Sequence, residues 1–169
     1  MIIKIKINKT WRQVITSWSF FLNRIAVDFK PIFKSSNIKF EISDYSIEGD
    51  KKLGNQIYNK LNYLSKDNKR NPKTKKVDIN INITKEKNAT AKDKTGKALE
   101  YKIILTAKIM VKDSLTNNEL VDNSFILTST YKVQDQYSET IKLENNLTSD
   151  LINKVYEDLL IMLSERLNI

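Results

Sequence analysis

The 169-residue chain carries 29 Lys+Arg against 20 Asp+Glu, a net charge of +9, with 40% hydrophobic residues and neither cysteine nor histidine. That length buries one real core, so one domain plus a flanking segment is expected. Without thiols or imidazoles, disulfides, thiol catalysis, iron–sulfur clusters, Cys/His zinc sites and the commonest general base are excluded, and the three glycines fit neither a GxxxxGK[ST] phosphate loop nor a GxGxxG turn.

The first thirty-six residues are basic, with Lys4, Lys6, Lys9 and Arg12 ahead of an apolar stretch, Val14-Ile15-Thr16-Ser17-Trp18-Ser19-Phe20-Phe21-Leu22. The stretch is shorter than the roughly 20 residues of a membrane span. Its basic-then-apolar order is that of an export signal, although Asn23 and Arg24 interrupt it. Residues 1–36 are therefore expected to be a degenerate signal-like or disordered leader, with Trp11 and Trp18 as apolar anchors within it.

From residue 37 a folded domain is expected to run to residue 169. Ile38, Phe40 and Ile42 alternate with polar residues, and Tyr45 and Ile47 resume the pattern one residue out of phase, which predicts a strand with a bulge near Asp44. Gly49-Asp50 opens a helix with Asp50 as N-cap, and Leu53, Ile57, Leu61 and Leu64 form its apolar stripe. A polar loop from Ser65 to Asn71, closed by Pro72, ends it. Val77, Ile79, Ile81 and Ile83 alternate with Asp78, Asn80, Asn82 and Thr84, a pattern suited to an antiparallel sheet covered on one side.

A lysine-rich connection is expected over 85–97, around Thr95-Gly96. A third strand follows with Tyr101, Ile103, Leu105, Ala107, Ile109 and Val111 on one face, then a turn at Asn117-Asn118 and a fourth strand with Phe125, Leu127, Tyr131 and Val133 inward. The last helix is expected over 138–167, with Leu143, Leu147, Leu151, Val155, Leu159 and Leu163 recurring every fourth position. At about 45 Å it exceeds what a small sheet needs, so either Thr148-Ser149-Asp150 breaks it or one end projects. The expected fold class is α+β: a β-α-β-β-β-α two-layer sandwich with both helices on one face of a four-stranded sheet.

Charge is spread unevenly along this plan, at +6 over residues 1–36, −3 over 37–50, +10 over 51–97 and −4 over 98–169. A basic middle attracts polyanions such as nucleic acid or phosphorylated glycolipids. Only Arg12, Arg24, Arg70 and Arg166 are arginines, and lysine is the weaker reader of guanine edges, so most of the excess is expected to be solvated surface. Glu41, Asp44, Glu48 and Asp50 suggest a carboxylate pair or divalent-ion site, but acids at a helix entry already have a structural reason to be there. The acceptor-like Asn88-Ala89-Thr90 and Asn146-Leu147-Thr148 are chance matches in an asparagine-rich chain.

Four segments carry a resemblance: Phe29-Lys30-Pro31-Ile32-Phe33; the strand from Ile42 through Gly49-Asp50 into the helix ending at Leu64; Lys94-Thr95-Gly96-Lys97-Ala98-Leu99-Glu100-Tyr101; and the acidic, leucine-rich terminal helix from Glu144 to Leu167. In this order and spacing the chain resembles the lipopolysaccharide-assembly lipoprotein family (LptE) of Gram-negative outer membranes. The resemblance implies a non-enzymatic outer-membrane assembly protein on the periplasmic side. Such a protein plugs a lipopolysaccharide-export β-barrel and binds lipopolysaccharide during its delivery to the cell surface, with no cofactor and no metal.

It also implies that Lys94, flanked by Lys92 and Lys97, contacts lipid A phosphate, with Lys142 as a second basic point. Val27-Asp28 stand where the family has its lipidated cysteine, so the usual thioether anchor has no attachment point here. The alternative is a basic α+β nucleic-acid-binding domain. The acids of the last helix, Glu144, Asp150, Glu157, Asp158 and Glu165, argue against that, and no nucleic-acid partner is expected.

Overall fold

The computed structural model describes residues 38–66 and 74–167; the leader, its tryptophans, the Phe29–Phe33 segment and the loop before Pro72 lie outside the described residues. The elements run β1 (Phe40–Gly49), α1 (Lys51–Lys66), β2 (Lys75–Lys92), β3 (Ala98–Asp113), β4 (Glu119–Lys132) and α2 (Tyr137–Leu167). This is the β-α-β-β-β-α sandwich that the periodicities predict. The strands lie side by side in chain order. One expectation needs correcting. The sheet is mixed, because β1 pairs parallel with β2 while β2–β3 and β3–β4 are antiparallel. A helix sits between β1 and β2, and a helical crossover returns the chain in the same direction, whereas the two later connections are tight turns.

The core follows from strand alternation. Val77, Ile79, Ile81 and Ile83 of β2, Leu105, Ala107, Ile109 and Val111 of β3, and Val121 and Phe125 of β4 are buried on one face. Leu53, Ile57 and Leu61 of α1 pack against them with Ile152, Val155, Leu159 and Leu163 of α2. The bulge falls between Ile42 and Asp44, where one extra residue of β1 re-phases the strand so that Ile47 returns to the covered side opposite Ile81. Asp50 caps α1, its Oδ1 accepting the N–H groups of Lys52 at 3.0 Å and Leu53 at 3.1 Å.

Helix α2 is a single helix of 31 residues, unbroken through Thr148-Ser149-Asp150. The Thr148 hydroxyl donates to the Glu144 carbonyl at 2.8 Å, inside the helix rather than capping a new one. Its buried residues are Thr140, Thr148, Ile152, Val155, Leu159 and Leu163, so the upper part of the expected leucine stripe is displaced to the flank. The reason is geometric: at 3.6 residues per turn, each four-residue step drifts by about 40°, so a strict fourfold series cannot stay on one face. Leu143, Leu147 and Leu151 end only partly buried, and polar residues take the sheet-facing positions.

β2 is longer than expected. The stretch 85–92, read as part of a connection, continues the strand and pairs with β3. Alternation persists there, but the inward residues change from isoleucine to lysine, which hides the strand from a hydrophobicity pattern.

Gly49 ends β1 at φ +74°, and a Cβ there would collide with the Ile83 carbonyl oxygen. Gly96 has φ +87° but open space around it. Gly49→Ala is therefore expected to cost about 2 kcal/mol or more, from left-handed strain plus a backbone clash, and Gly96→Ala only about 1 kcal/mol. Urea denaturation of the two variants checks the ranking.

Candidate functional site

Three of the four lysines singled out from the sequence meet at one turn. β2 ends at Lys92, and Asp93 and Lys97 close a three-residue loop, with Asp93 N–H donating to the Lys97 carbonyl at 2.9 Å and Gly96 N–H to the Asp93 carbonyl at 3.1 Å. Gly96 supplies the left-handed residue such a loop requires. The Asp93 carboxylate organises it: Oδ1 accepts the Thr95 hydroxyl at 2.6 Å, the Thr95 N–H at 2.8 Å and the Lys97 N–H at 3.0 Å. The Thr95 hydroxyl is the main reason that this carboxyl sits below its usual range, with backbone N–H groups and Lys97 adding to it. Lys92, Lys94 and Lys97 are all exposed. The arrangement is a rigid hairpin tip displaying three ammonium groups, a point-charge partner for phosphate. Lys142 is on a different element, exposed in the second turn of α2 on the side away from the sheet-facing Thr140, Glu144 and Thr148.

Beneath the tip, between β2 and α2, lies a charged cluster that the sequence reading did not single out. Glu144 Oε1 accepts Lys85 Nζ at 3.1 Å, and its Oε2 accepts Lys87 Nζ at 2.6 Å and the Tyr131 hydroxyl at 2.8 Å. Lys87 Nζ also lies 4.2 Å from the Tyr101 ring centroid and 5.7 Å from that of Tyr131. The Glu144 side chain is only 12% exposed. Burial opposes its ionisation, but Lys87, Tyr131 and Lys85 outweigh that and hold the carboxyl at about 2. Burial likewise opposes the charge on Lys87, and Glu144 and Tyr131 overcome it to keep the ammonium above its usual range. The signal was available: Lys85 and Lys87 continue the phase of Ile81 and Ile83, and Glu144 lies midway between Thr140 and Thr148 at helical spacing.

The opposite face of the sheet carries no helix among the described residues. Ser46, Asn80, Asn82, Thr84, Lys108, Ser124, Thr128 and Thr130 line it, with Ile104, Met110 and Ile126 interspersed. Neighbouring side chains are tied across the strands: Asn80 donates to the Ser46 hydroxyl at 2.7 Å and Asn82 to Glu48 at 3.2 Å. A hollow of about 230 Å³ indents this face between Asp44, Ser46, Asp78, Asn80, Met110 and Lys112. There, among the described residues, Asp78 Oδ1 is buried without a hydrogen-bond partner.

The acids at the β1–α1 junction are not drawn together. Asp44 accepts the Tyr45 N–H, Glu48 pairs with Asn82 and Asp50 caps α1. No group of three or more acidic side chains among the described residues could hold a metal ion. No described helix is long and apolar enough to cross a membrane.

Comparison with solved structures places the fold. The chain is similar to rare lipoprotein B from Shewanella oneidensis, with 14% identity and a TM-score of 0.50 over 74% of this chain and 97% of that one. It is equally similar to lipoprotein B from Nitrosomonas europaea, with 17% identity and a TM-score of 0.50 over 73% and 81% of the two chains. The lipoprotein B fold is shared. No protein-family model matches the sequence, and no curated protein does.

Because the folded-state carboxyl of Glu144 is depressed from 4.5 to about 2, its contribution is complete above pH 4.5 and is lost as pH falls towards 2. That loss is expected to be about 3 kcal/mol. Glu144→Gln should lower stability at neutral pH by a similar amount and flatten the acid limb by the same margin, read from denaturant midpoints between pH 2 and 7.

Proposed function

We propose that the chain is a non-enzymatic outer-membrane assembly protein, acting on the periplasmic side, which plugs a lipopolysaccharide-export β-barrel and binds lipopolysaccharide during delivery. The observation that carries this reading is the one-sided sandwich. Both helices cover one face of the sheet, and a mostly polar face is left that can lie against the wet wall of a barrel lumen. The fold shared with nearly the full length of a rare lipoprotein B supports it.

The tip lysines supply the ligand contact in this reading. Lys94 and its neighbours Lys92 and Lys97 meet the lipid A phosphates, and Lys142 is a separate basic point on α2. Lys85 and Lys87 are consumed by Glu144. They drop out of any continuous phosphate-tracking surface, which weighs against the nucleic-acid alternative.

Affinity capture of the full chain from detergent-solubilised membranes of the cells that make it is expected to bring down one large β-barrel in near-equal amount. A paired Thr106→Glu and Ser124→Glu change on the bare face should break that association, with the circular dichroism spectrum unchanged. Capture of the chain alone, or of a partner indifferent to those changes, contradicts the reading. Lys94→Glu is expected to weaken binding of purified lipopolysaccharide several-fold without affecting the barrel.

A further inference from the structure

We infer that the groove between the outer side of β4 and the C-terminal half of α2 is a docking site for a cationic amphipathic segment of a partner protein. It lies on the helix-covered side of the sheet and does not depend on the bare face described above. β4 is the last strand in the sheet, so among the described residues no strand lies beyond it. α2 turns Ile152, Val155, Leu159 and Leu163 into the core. Asp158, Ile161, Met162 and Glu165, at i, i+3, i+4 and i+7, form a second strip beside that one. Together with Asn123 and Phe125 of β4 this strip lines an open groove of about 400 Å³.

The chemistry of the groove selects its occupant. Phe125, Ile161 and Met162 are its apolar lining, and Met162 supplies an adaptable thioether surface. Asp158 and Glu165 supply the charge. Over residues 157–166 the acids Glu157, Asp158 and Glu165 face one cation, Arg166, in a chain whose net charge is +9. Among the described residues, the ion pair on this strip, Lys154 to Asp158 at 3.5 Å, is exposed and of little energetic weight.

An apolar floor with acidic sides fits an aliphatic side chain flanked by lysine or arginine. A second copy related by a twofold axis would set acid against acid. An anionic lipid surface would be repelled by the same groups. Because the whole chain is positive, a cationic segment gains nothing from long-range attraction, and its binding reports the local groove.

The chain's three methionines make the test direct: Met162 lines the groove and Met110 lies on the bare sheet face. The full chain, labelled with ¹³C at its methionine methyls, is titrated with a ten-residue peptide of alternating leucine and lysine, and separately with a leucine–glutamate counterpart. The Met162 methyl is expected to shift saturably with the lysine peptide while Met110 stays in place, and the glutamate peptide should bind at least tenfold more weakly. The double change Asp158→Lys and Glu165→Lys is expected to weaken the lysine peptide at least tenfold, with an unmoved Met110 signal showing that the fold is retained. An unmoved Met162, equal movement of both methyls, or an affinity indifferent to the charge reversal would overturn the proposal. Because Met110 reports the bare face independently, such a failure leaves the barrel reading standing, and failed barrel capture leaves this one standing.

Discussion

Strict alternation along β2, β3 and β4 is the constraint from which the rest of the molecule follows. Side chains two apart share a face. Because the odd-numbered positions from Val77 to Ile83 and from Ile103 to Val111 are apolar, as are Val121 and Phe125, the three strands present their hydrophobic sets to the same side. Two amphipathic helices are enough to cover that side. The even-numbered positions are left as a mostly polar surface, and a one-residue slip of any strand would exchange the two faces. The bulge between Ile42 and Asp44 obeys the same rule, since it restores the phase of β1 where the sequence has shifted by one.

The Glu144 cluster is the same alternation carried past the point where the core ends. Lys85 and Lys87 take the next two inward positions of β2, and the α2 residue that meets them is acidic. A helix too long for the apolar core thereby stays attached to the sheet through charge and hydrogen bonding where burial of hydrocarbon has run out. The polar sheet-facing residues Thr140, Glu144 and Thr148 are the helix's half of that arrangement, and they give its first half an orientation that leucine spacing alone does not specify. The cluster also holds the base of the hairpin whose tip displays Lys92, Lys94 and Lys97.

Most of the architecture was legible because its signals are local. Val77 to Thr84 and Tyr101 to Lys112 declare their strands by period two, and Asp50 declares the start of α1 by its capping chemistry. Three features were not legible, each for a physical reason. The parallel pairing of β1 is set by the helical crossover to β2, and side-chain alternation within a strand carries no information about strand direction. The far half of β2 has lysines at its inward positions, so a reading keyed to hydrophobicity ends the strand at Thr84. The register of α2 fails because leucines four apart drift round the helix, and the polar residues that replace them face the sheet only because charged partners wait there. Of the candidate site, the turn lysines were visible from Thr95-Gly96, whereas Glu144 gains its partners only through the tertiary packing of α2 on β2.

One face of the sheet is sealed by the helices and the other is bare, and the proposed barrel partner would lie on the bare one. A chain without cysteine allows single thiols to be placed cleanly on each face. Thr106→Cys on the open face and its neighbour Ala107→Cys on the sealed face can be followed by their rate of alkylation, in purified protein and in isolated envelopes. In purified protein Thr106→Cys should react at least a hundredfold faster than Ala107→Cys, and in envelopes its rate should fall at least tenfold. Equal rates at the two neighbouring positions would contradict the one-sided sandwich, and an undiminished rate at Thr106→Cys in envelopes would contradict its use as a docking face.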